Sequence, residues 1–255
     1  MFIFYFWIFI LGVVIGSFLN VVILRTYYGD SFLRTRSFCP SCRKKIVWYD
    51  NIPLWSFFML KGRCRNCNRK ISFQYPVVEL VSGILFLAVF YIDFNFLNLK
   101  SLFVLLRDWL IVSILIVIFV QDLKWYVILD KIILPATGIV FGLNLFLRED
   151  FWNLSLAAFI GAGFFLWQFL ISRGRWVGEG DIRLGAFMGV VLGFPKILIA
   201  LFLAYILGSL IGIFLVLINK KKMSSKMPLA VFLVPATFAV LFGGDKILNW
   251  YFKNF

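Results

Sequence analysis

Two aspartates, Asp122 and Asp181, are the side chains of this sequence best suited to acid/base chemistry. Asp122 follows the apolar run Ile111–Val120, and Asp181 closes the tetrapeptide Gly178-Glu179-Gly180-Asp181. A carboxylate at the edge of a bilayer is costly, so its presence there indicates a functional site. Two carboxylates in one site can divide into an acid and a base. The chain has no histidine, which excludes a Ser-His-Asp triad, a Cys-His pair and a His-Glu-x-x-His zinc protease.

The elements that position these aspartates are predicted to be membrane helices. Of 255 residues, 62% are hydrophobic and 15% are charged, which is too apolar for an ordinary soluble domain. A large soluble core would show shorter apolar runs broken by polar faces, whereas these runs repeatedly reach spanning length. We therefore expect an all-α polytopic membrane protein with about eight segments. The predicted segments are 2–24, 76–92, 103–121, 129–147, 154–172, 184–193, 196–218 and 229–243.

The distribution of positive charge predicts the orientation of the chain. Loops on one side carry 20 of the 26 basic residues. The positive-inside rule places those loops in the cytoplasm and both termini outside. The net charge of +14 is thus explained by topology and by attraction to anionic lipid, not by nucleic-acid binding. Asp122 and Asp181 then face the cytoplasm at similar depth. The first segment is expected to remain as a helix, since it lacks a basic region and a cleavage site.

Four cysteines in the first cytoplasmic loop form two Cys-x-x-Cys pairs, Cys39/Cys42 and Cys64/Cys67, separated by 21 residues. Two thiolate pairs supply the four soft ligands of tetrahedral Zn²⁺. Disulfides or free thiols are the alternatives, and a cytoplasmic location disfavours disulfides. The sequence therefore predicts residues 1–25 as a first helix, 26–75 as a zinc domain and 76–255 as the remaining membrane domain. A four-ligand site has no open position, so the metal is expected to be structural.

Alternatives to catalysis are open for each acidic residue taken alone. Asp181 could pair with Arg183, and Asp122 with Lys124, as ordinary interfacial ion pairs. Gly178 and Gly180 are expected to allow backbone conformations closed to other residues and to let a substrate strand approach.

Other carboxylates are weaker candidates. Glu79 lies near the cytoplasmic end of the second segment, Asp130 begins the fourth, and Asp50 lies in the cysteine loop. Each could orient a substrate or a methyl donor, or could be a helix cap or a loop hydrogen-bond acceptor; for Asp130 and Asp50 the structural role is favoured. Asp108, beside Arg107, is expected to be structural.

The chain resembles the type IV prepilin peptidases, also called leader peptidase/N-methyltransferases, through a combination of motifs in a fixed order. These are Gly16-Ser17-Phe18-Leu19-Asn20-Val21, the cysteine pairs flanking Trp48-Tyr49-Asp50-Asn51-Ile52-Pro53, Gly62-Arg63-Cys64-Arg65, Tyr75-Pro76-Val77-Val78-Glu79-Leu80, Asp122, and Gly178-Glu179-Gly180-Asp181-Ile182-Arg183-Leu184. Three positions depart from the family pattern. Arg183 replaces a usual Lys, Leu129 replaces a common Pro, and Met227-Pro228-Leu229-Ala230 matches a late motif only in part.

This resemblance implies a bacterial inner-membrane aspartic protease whose catalytic pair maps onto Asp122 and Asp181, with Gly178, Gly180, Arg183, Glu79 and Asp130 as supporting residues. It implies cleavage after Gly of the basic leader of a prepilin or pseudopilin of pili or type II secretion, on the cytoplasmic side. It also implies N-methylation of the new terminus with S-adenosylmethionine, although no Gly-rich dinucleotide motif marks a binding pocket. The particular substrate and the oligomeric state stay open.

Rival functions are a Gly-x-Gly-Asp protease with another substrate class, a small transporter with ion-carrying aspartates, and a zinc-dependent scaffold. A transporter predicts repeats or broken helices near the membrane midplane. The chain shows no repeat, and its aspartates lie at the membrane edge.

Overall fold

The computed structural model describes residues 2–29, 37–93, 98–218 and 227–254, and these residues are overwhelmingly helical. A short 3₁₀ turn covers Trp48–Asn51. The α-helices are α1 (Phe2–Tyr28), α2 (Trp55–Met59), α3 (Gln74–Asp93), α4 (Leu99–Trp125), α5 (Asp130–Phe146), α6 (Phe151–Ser172), α7 (Glu179–Leu192), α8 (Lys196–Leu217) and α9 (Ala230–Asn254).

Each of the eight predicted apolar segments coincides with one of these helices, which confirms the all-α membrane fold. Within the described ranges, six helices are long and apolar enough to cross a membrane: α1, α3, α4, α6, α8 and α9. The remaining two, α5 and α7, have 17 and 14 residues. At about 1.5 Å per residue, 14 residues extend roughly 21 Å, which is short of a bilayer core.

The predicted orientation rests partly on basic residues whose placement is not described. Arg34, Arg36, Lys220, Lys221, Lys222 and Lys226 lie outside the described residues. The side of the membrane that each loop faces therefore stays a prediction from charge counting.

The chain divides into two compact units, Met1–Val117 and Ile118–Phe255. In the first unit, α1 and α3 pack closely and run antiparallel. A Cβ at Gly12 would lie 2.8 Å from Phe86 Cβ, and one at Gly16 would lie 2.8 Å from Glu79 Cα. The Asn20 amide donates to the Tyr75 carbonyl oxygen at 3.2 Å. The C-terminal end of α1 and the N-terminal end of α3 therefore lie at the same end of this helix pair.

In the second unit, the short helix α7 is the most buried element. It packs against α5, α6, α8 and α9, and Leu184, Phe187 and Met188 are fully enclosed. The contact with α6 is the closest. A Cβ at Gly161 would lie 2.1 Å from the Gly185 carbonyl oxygen, and one at Gly189 would lie 2.3 Å from the Ala157 carbonyl oxygen. Small residues let membrane helices approach backbone to backbone in this way.

Two asparagines secure the same helix through main-chain groups. The buried Asn144 amide of α5 donates to the Val190 carbonyl oxygen at 2.7 Å. The Asn153 side chain of α6 donates to the Phe194 carbonyl oxygen at 3.0 Å and accepts from the Phe194 N–H at 2.9 Å. An amide that satisfies backbone groups in this way fixes both the depth and the rotation of α7.

We predict that Gly161→Ala destabilises the fold by about 1–3 kcal/mol, because the added methyl group has no room against the Gly185 carbonyl. Gly163→Ala is the matched control on the same helix, since a Cβ there meets nothing within 4 Å. Thermal unfolding in detergent micelles measures both variants. Equal melting temperatures for the two would contradict the packing assigned to α6 and α7.

Candidate active site

Asp122 lies near the end of α4 and is almost fully buried, with 5% of its surface exposed. Its Oδ2 accepts a hydrogen bond of 2.8 Å from the backbone N–H of Ala230, the first residue of α9. The first N–H groups of a helix lack intrahelical partners and carry a partial positive charge. The start of α9 therefore holds the Asp122 carboxyl group in place.

Asp181 lies in the first turn of α7, and its Oδ2 accepts from the backbone N–H of Gly178 at 2.9 Å. It precedes the 184–193 segment and lies outside the six helices of spanning length. Burial raises the pKa of the Asp181 carboxyl group to about 6; the Gly178 N–H opposes this shift, and the neighbouring charge of Asp122 adds to it. Both aspartates thus lie in the second unit and interact electrostatically, as an acid/base pair requires.

The glycines flanking Asp181 act differently from the prediction. Gly178 has φ −86°, an ordinary value for any residue, and Gly180 lies within the helical first turn of α7. What Gly180 provides is space, because a Cβ there would lie 2.8 Å from the Cβ of Ile128. The expected special backbone conformation is therefore not observed, whereas close approach of a neighbouring segment is.

Arg183 pairs with Asp130, at the start of α5, and not with Asp181. A second, longer contact of 3.8 Å joins Arg183 to Glu179 one turn earlier. Lys124, the other proposed ion-pair partner, lies over the ring of Trp125 at 5.5 Å from its centroid. The ion pair between Arg183 and Asp130 joins the first turns of α7 and α5, a structural contact other than the helix cap or loop hydrogen bond expected for Asp130.

The two remaining candidate carboxylates, Glu79 and Asp50, lie in the first unit. Glu79 of α3 is buried, and its Oε2 accepts from the backbone N–H of Leu54 at 2.8 Å. Asp50 forms a two-pronged ion pair with Arg65, at 2.8 and 2.6 Å. The charge of Asp50 raises the pKa of Arg65. Glu79 and Asp50 therefore connect parts of the cysteine loop to each other and to α3.

Sequence reasoning missed one contributor to the aspartate site. The Ala230 N–H is a backbone donor to Asp122, and its signal was the partial match of the family motif at residues 227–230.

The four cysteines come together, as predicted. One sulfur from each of Cys39, Cys42, Cys64 and Cys67 lies within 4.8 Å of the other three. Burial opposes ionisation of Cys39, but the N–H groups of Cys42 and Ser41 and the neighbouring thiols outweigh it and lower its pKa to about 6. Four sulfur atoms gathered at one point fit a metal ion with soft-ligand preference.

Each cysteine pair lies on a turn of the same design, which we call a knuckle. In the first knuckle, the Cys39 N–H donates to the Lys44 carbonyl oxygen, and the Arg43 N–H donates to the Cys39 carbonyl oxygen. In the second knuckle, the Cys64 N–H donates to the Arg69 carbonyl oxygen, and the Asn68 N–H donates to the Cys64 carbonyl oxygen. Arg43 and Asn68 both have positive φ, 56° and 54°. A matching β-bridge closes each knuckle, Phe38 with Lys45 and Arg63 with Lys70. The module of residues 37–73 thus brings together two thiol pairs held by turns of the same design.

Comparison with known proteins identifies the family of this chain. The family model for the bacterial peptidase A24 N-terminal domain matches residues 10–92, and that for the type IV leader peptidase family matches residues 109–213. A prepilin leader peptidase/N-methyltransferase of Aeromonas hydrophila is 31% identical over 97% of this chain and 93% of its own length. The chain belongs to the prepilin leader peptidase/N-methyltransferase family.

Two further relatives carry the same name. The protein of Bacillus subtilis is 30% identical over 96% of this chain and 97% of its own length. That of Legionella pneumophila is 33% identical over 85% of this chain and 75% of its own length. No solved structure matches the chain significantly. Family membership confirms the predicted resemblance and enzyme class, and it counts against the transporter and scaffold alternatives.

We predict that the purified protein holds about one metal ion per chain and that Cys39→Ser loses it, because tetrahedral binding requires all four thiolates. Ser41→Ala is the matched control between two proposed ligands. It removes a hydroxyl that accepts a long hydrogen bond from the exposed Arg69, and it keeps the Ser41 backbone N–H. Elemental analysis of the purified proteins gives the metal-to-protein ratio. Retention of the ion by Cys39→Ser would contradict a four-thiolate site.

Proposed function

We propose that this protein is an intramembrane aspartic endopeptidase that removes the basic leader of a prepilin or pseudopilin after Gly. The observation that carries the proposal is the placement of Asp122 and Asp181 in one unit, each held by a backbone N–H. The names of the relatives support the substrate class. The charge distribution supports a bacterial inner-membrane location with this site at the cytoplasmic side and both termini outside.

Peptide cleavage at this pair needs one ionised and one protonated carboxyl group. Two neighbouring carboxylates in a poorly hydrated site do not both ionise at neutral pH, so the pair retains one proton. The ionised carboxylate removes a proton from a water molecule, and the oxygen of that water attacks the scissile carbonyl carbon. The protonated partner donates its proton to the amine that leaves. The pair titrates as a unit, so neither aspartate is assigned one role alone.

Supporting residues fix the geometry of the pair. Gly180 keeps the start of α7 against Ile128, and Arg183 ties it to Asp130. Both contacts restrain the first turn that carries Asp181. Gly178 supplies the N–H that Asp181 accepts. A carboxyl group held by main-chain groups and a packed helix is preorganised, which lowers the cost of reaching the productive geometry.

We propose that the metal of the cysteine module is Zn²⁺ and that it is structural. Four thiolates saturate a tetrahedral zinc ion, so none of its positions is left for a substrate. A module of fewer than forty residues buries little core, and metal binding supplies the missing stability. The thiols lie in the first unit, whereas the aspartate pair lies in the second, so the zinc is not assigned to peptide cleavage.

N-methylation of the new terminus is the second proposed activity, supported by the names of the relatives. S-adenosylmethionine would supply the methyl group. In the first unit, the buried Glu79 lies beside the cysteine module. It is the candidate from this sequence for orienting the amine or the donor, and its observed hydrogen bond to Leu54 supports a positioning role. Loss of methylation without loss of cleavage in Glu79→Gln would support that role.

We predict that Asp122→Asn and Asp181→Asn each reduce leader cleavage at least about a hundredfold, because each removes a proton-transferring group. Asp245→Asn is the matched control, since Asp245 is exposed and pairs with Lys196 on the surface. Mass spectrometry of a prepilin incubated with purified enzyme and S-adenosylmethionine measures both the lost leader and any added methyl group. Substantial cleavage by either active-site variant would exclude the aspartate pair.

A further inference from the structure

The cysteine module carries a group of exposed apolar side chains that neither the metal site nor the aspartate pair explains. Trp55, Phe58 and Met59 of α2 are 62, 71 and 65% exposed, and Phe73 is 74% exposed. Residues three and four apart share one face of a helix, so Trp55 lies beside Phe58 and Met59. Phe73 lies on another side of the module, where its ring contacts that of Phe57 at 5.4 Å. We call Trp55, Phe58 and Met59 the apolar face.

One hydrogen bond fixes the level of this face relative to the membrane-spanning helices. Leu54, the residue before α2, donates its N–H to Glu79 of α3 at 2.8 Å. Glu79 is the sixth residue of the candidate span Gln74–Ile92. Helical side chains lean toward the N-terminus, so the Glu79 carboxylate reaches back to the first turn of the span. Leu54 and α2 are therefore level with the first turn of a membrane helix.

The backbone at Leu54 is shaped for this contact. Leu54 has φ 59° and ψ −53°, a combination that a branched residue adopts only when its surroundings require it. Antiparallel packing of α1 and α3 returns the chain to the same end of the pair, so the module must lie at that boundary. An apolar face at this level contacts the headgroup and upper acyl region of the bilayer, the depth at which interfacial helices lie.

Charge indicates which lipid the module meets. Residues 37–73 contain eight basic side chains and one acidic side chain, Asp50. Asp50 is engaged by Arg65. All eight basic side chains are exposed: Arg43, Lys44, Lys45, Lys61, Arg63, Arg65, Arg69 and Lys70. Each basic residue near a surface adds to the attraction for anionic lipid, and the same charge repels a basic leader peptide. The module is thus complementary to an anionic leaflet and not to the leader.

We propose that the cysteine module is a peripheral membrane element that inserts Trp55, Phe58 and Met59 into the leaflet and holds anionic lipid headgroups with its basic residues. Tryptophan and phenylalanine are suited to this boundary because they combine apolar area with tolerance of a partly hydrated environment. The bond from Leu54 to Glu79 and the metal site make the inserted segment rigid. The lipid surface is thereby a partner of the folded module.

The test is photocrosslinking in the full-length protein reconstituted into nanodiscs. Phe58→benzoylphenylalanine places a photoreactive group on the apolar face, and Asn66→benzoylphenylalanine places it on the exposed tip of the second knuckle as the matched control. Mass spectrometry after irradiation identifies the adducts. Expected results are lipid adducts at position 58, at least about threefold above position 66, with higher yield in phosphatidylglycerol than in phosphatidylcholine nanodiscs and a decrease in high salt.

The charge contribution is tested separately with Lys61→Gln/Arg63→Gln. This variant is expected to lose most of the preference for phosphatidylglycerol while its metal content is unchanged, because neither residue is a ligand. Equal lipid adducts at positions 58 and 66 would overturn the proposal. So would adducts at position 58 to a second copy of the chain or to added prepilin in place of lipid. A variant that loses its metal is taken to be unfolded. Trp55→Ser, provided that its metal content is intact, is then measured in place of that variant.

Discussion

The backbone contact between α6 and α7 is the constraint on which the second unit depends. At Gly161, Gly185 and Gly189 no side chain separates the helices, and each helix contacts the main chain of its neighbour. Without a hydrophobic driving force between helices in lipid, such close contact is a main source of association. It lets a helix too short to span a bilayer occupy the centre of the unit. Asp181 on its first turn is thereby carried to the neighbourhood of Asp122.

The aspartate site is built largely from main-chain donors. Asp122 is held by the Ala230 N–H at the start of α9, and Asp181 by the Gly178 N–H just before α7. A basic side chain in their place would bring a full positive charge, which favours the ionised form of a carboxyl group. Backbone N–H groups orient the carboxyl groups with only a partial charge. Arg183, the basic residue nearest to Asp181 in the sequence, pairs with Asp130 instead.

Membrane segments and the cysteine site could be predicted because each depends on local sequence. Apolar length identified eight segments, and all eight are helices, including the 184–193 segment that was expected to be short. Thiol spacing identified a metal site without any knowledge of the fold. The partner of Arg183 could not be predicted, because Asp130 and Asp181 are both near it and tertiary packing decides between them. The two glycines before Asp181 also did not show which of their properties matters. The fold needs the space that Gly180 leaves for Ile128, and it does not need an unusual backbone torsion at either glycine.

Backbone contacts escaped sequence reasoning altogether. The N–H groups of Ala230 and Leu54 are present at every non-proline residue, so nothing in the residue type distinguishes them. Their functional meaning comes from helix starts and loop conformations that form only in the folded chain. The partial motif at residues 227–230 was a sign of the Ala230 contact, and no comparable sign exists for the Leu54 contact.

Because each knuckle closes on itself through its own hydrogen bonds and β-bridge, the distance between the two cysteine pairs along the chain is not set by the ion. Pro40-Ser41 and Arg65-Asn66 occupy equivalent positions within the two turns, so side-chain identity there matters little to the shape. The backbone of the knuckles therefore does not constrain the length or composition of the stretch between them. That stretch includes α2, so the segment proposed to meet the bilayer can change without altering the two thiol turns.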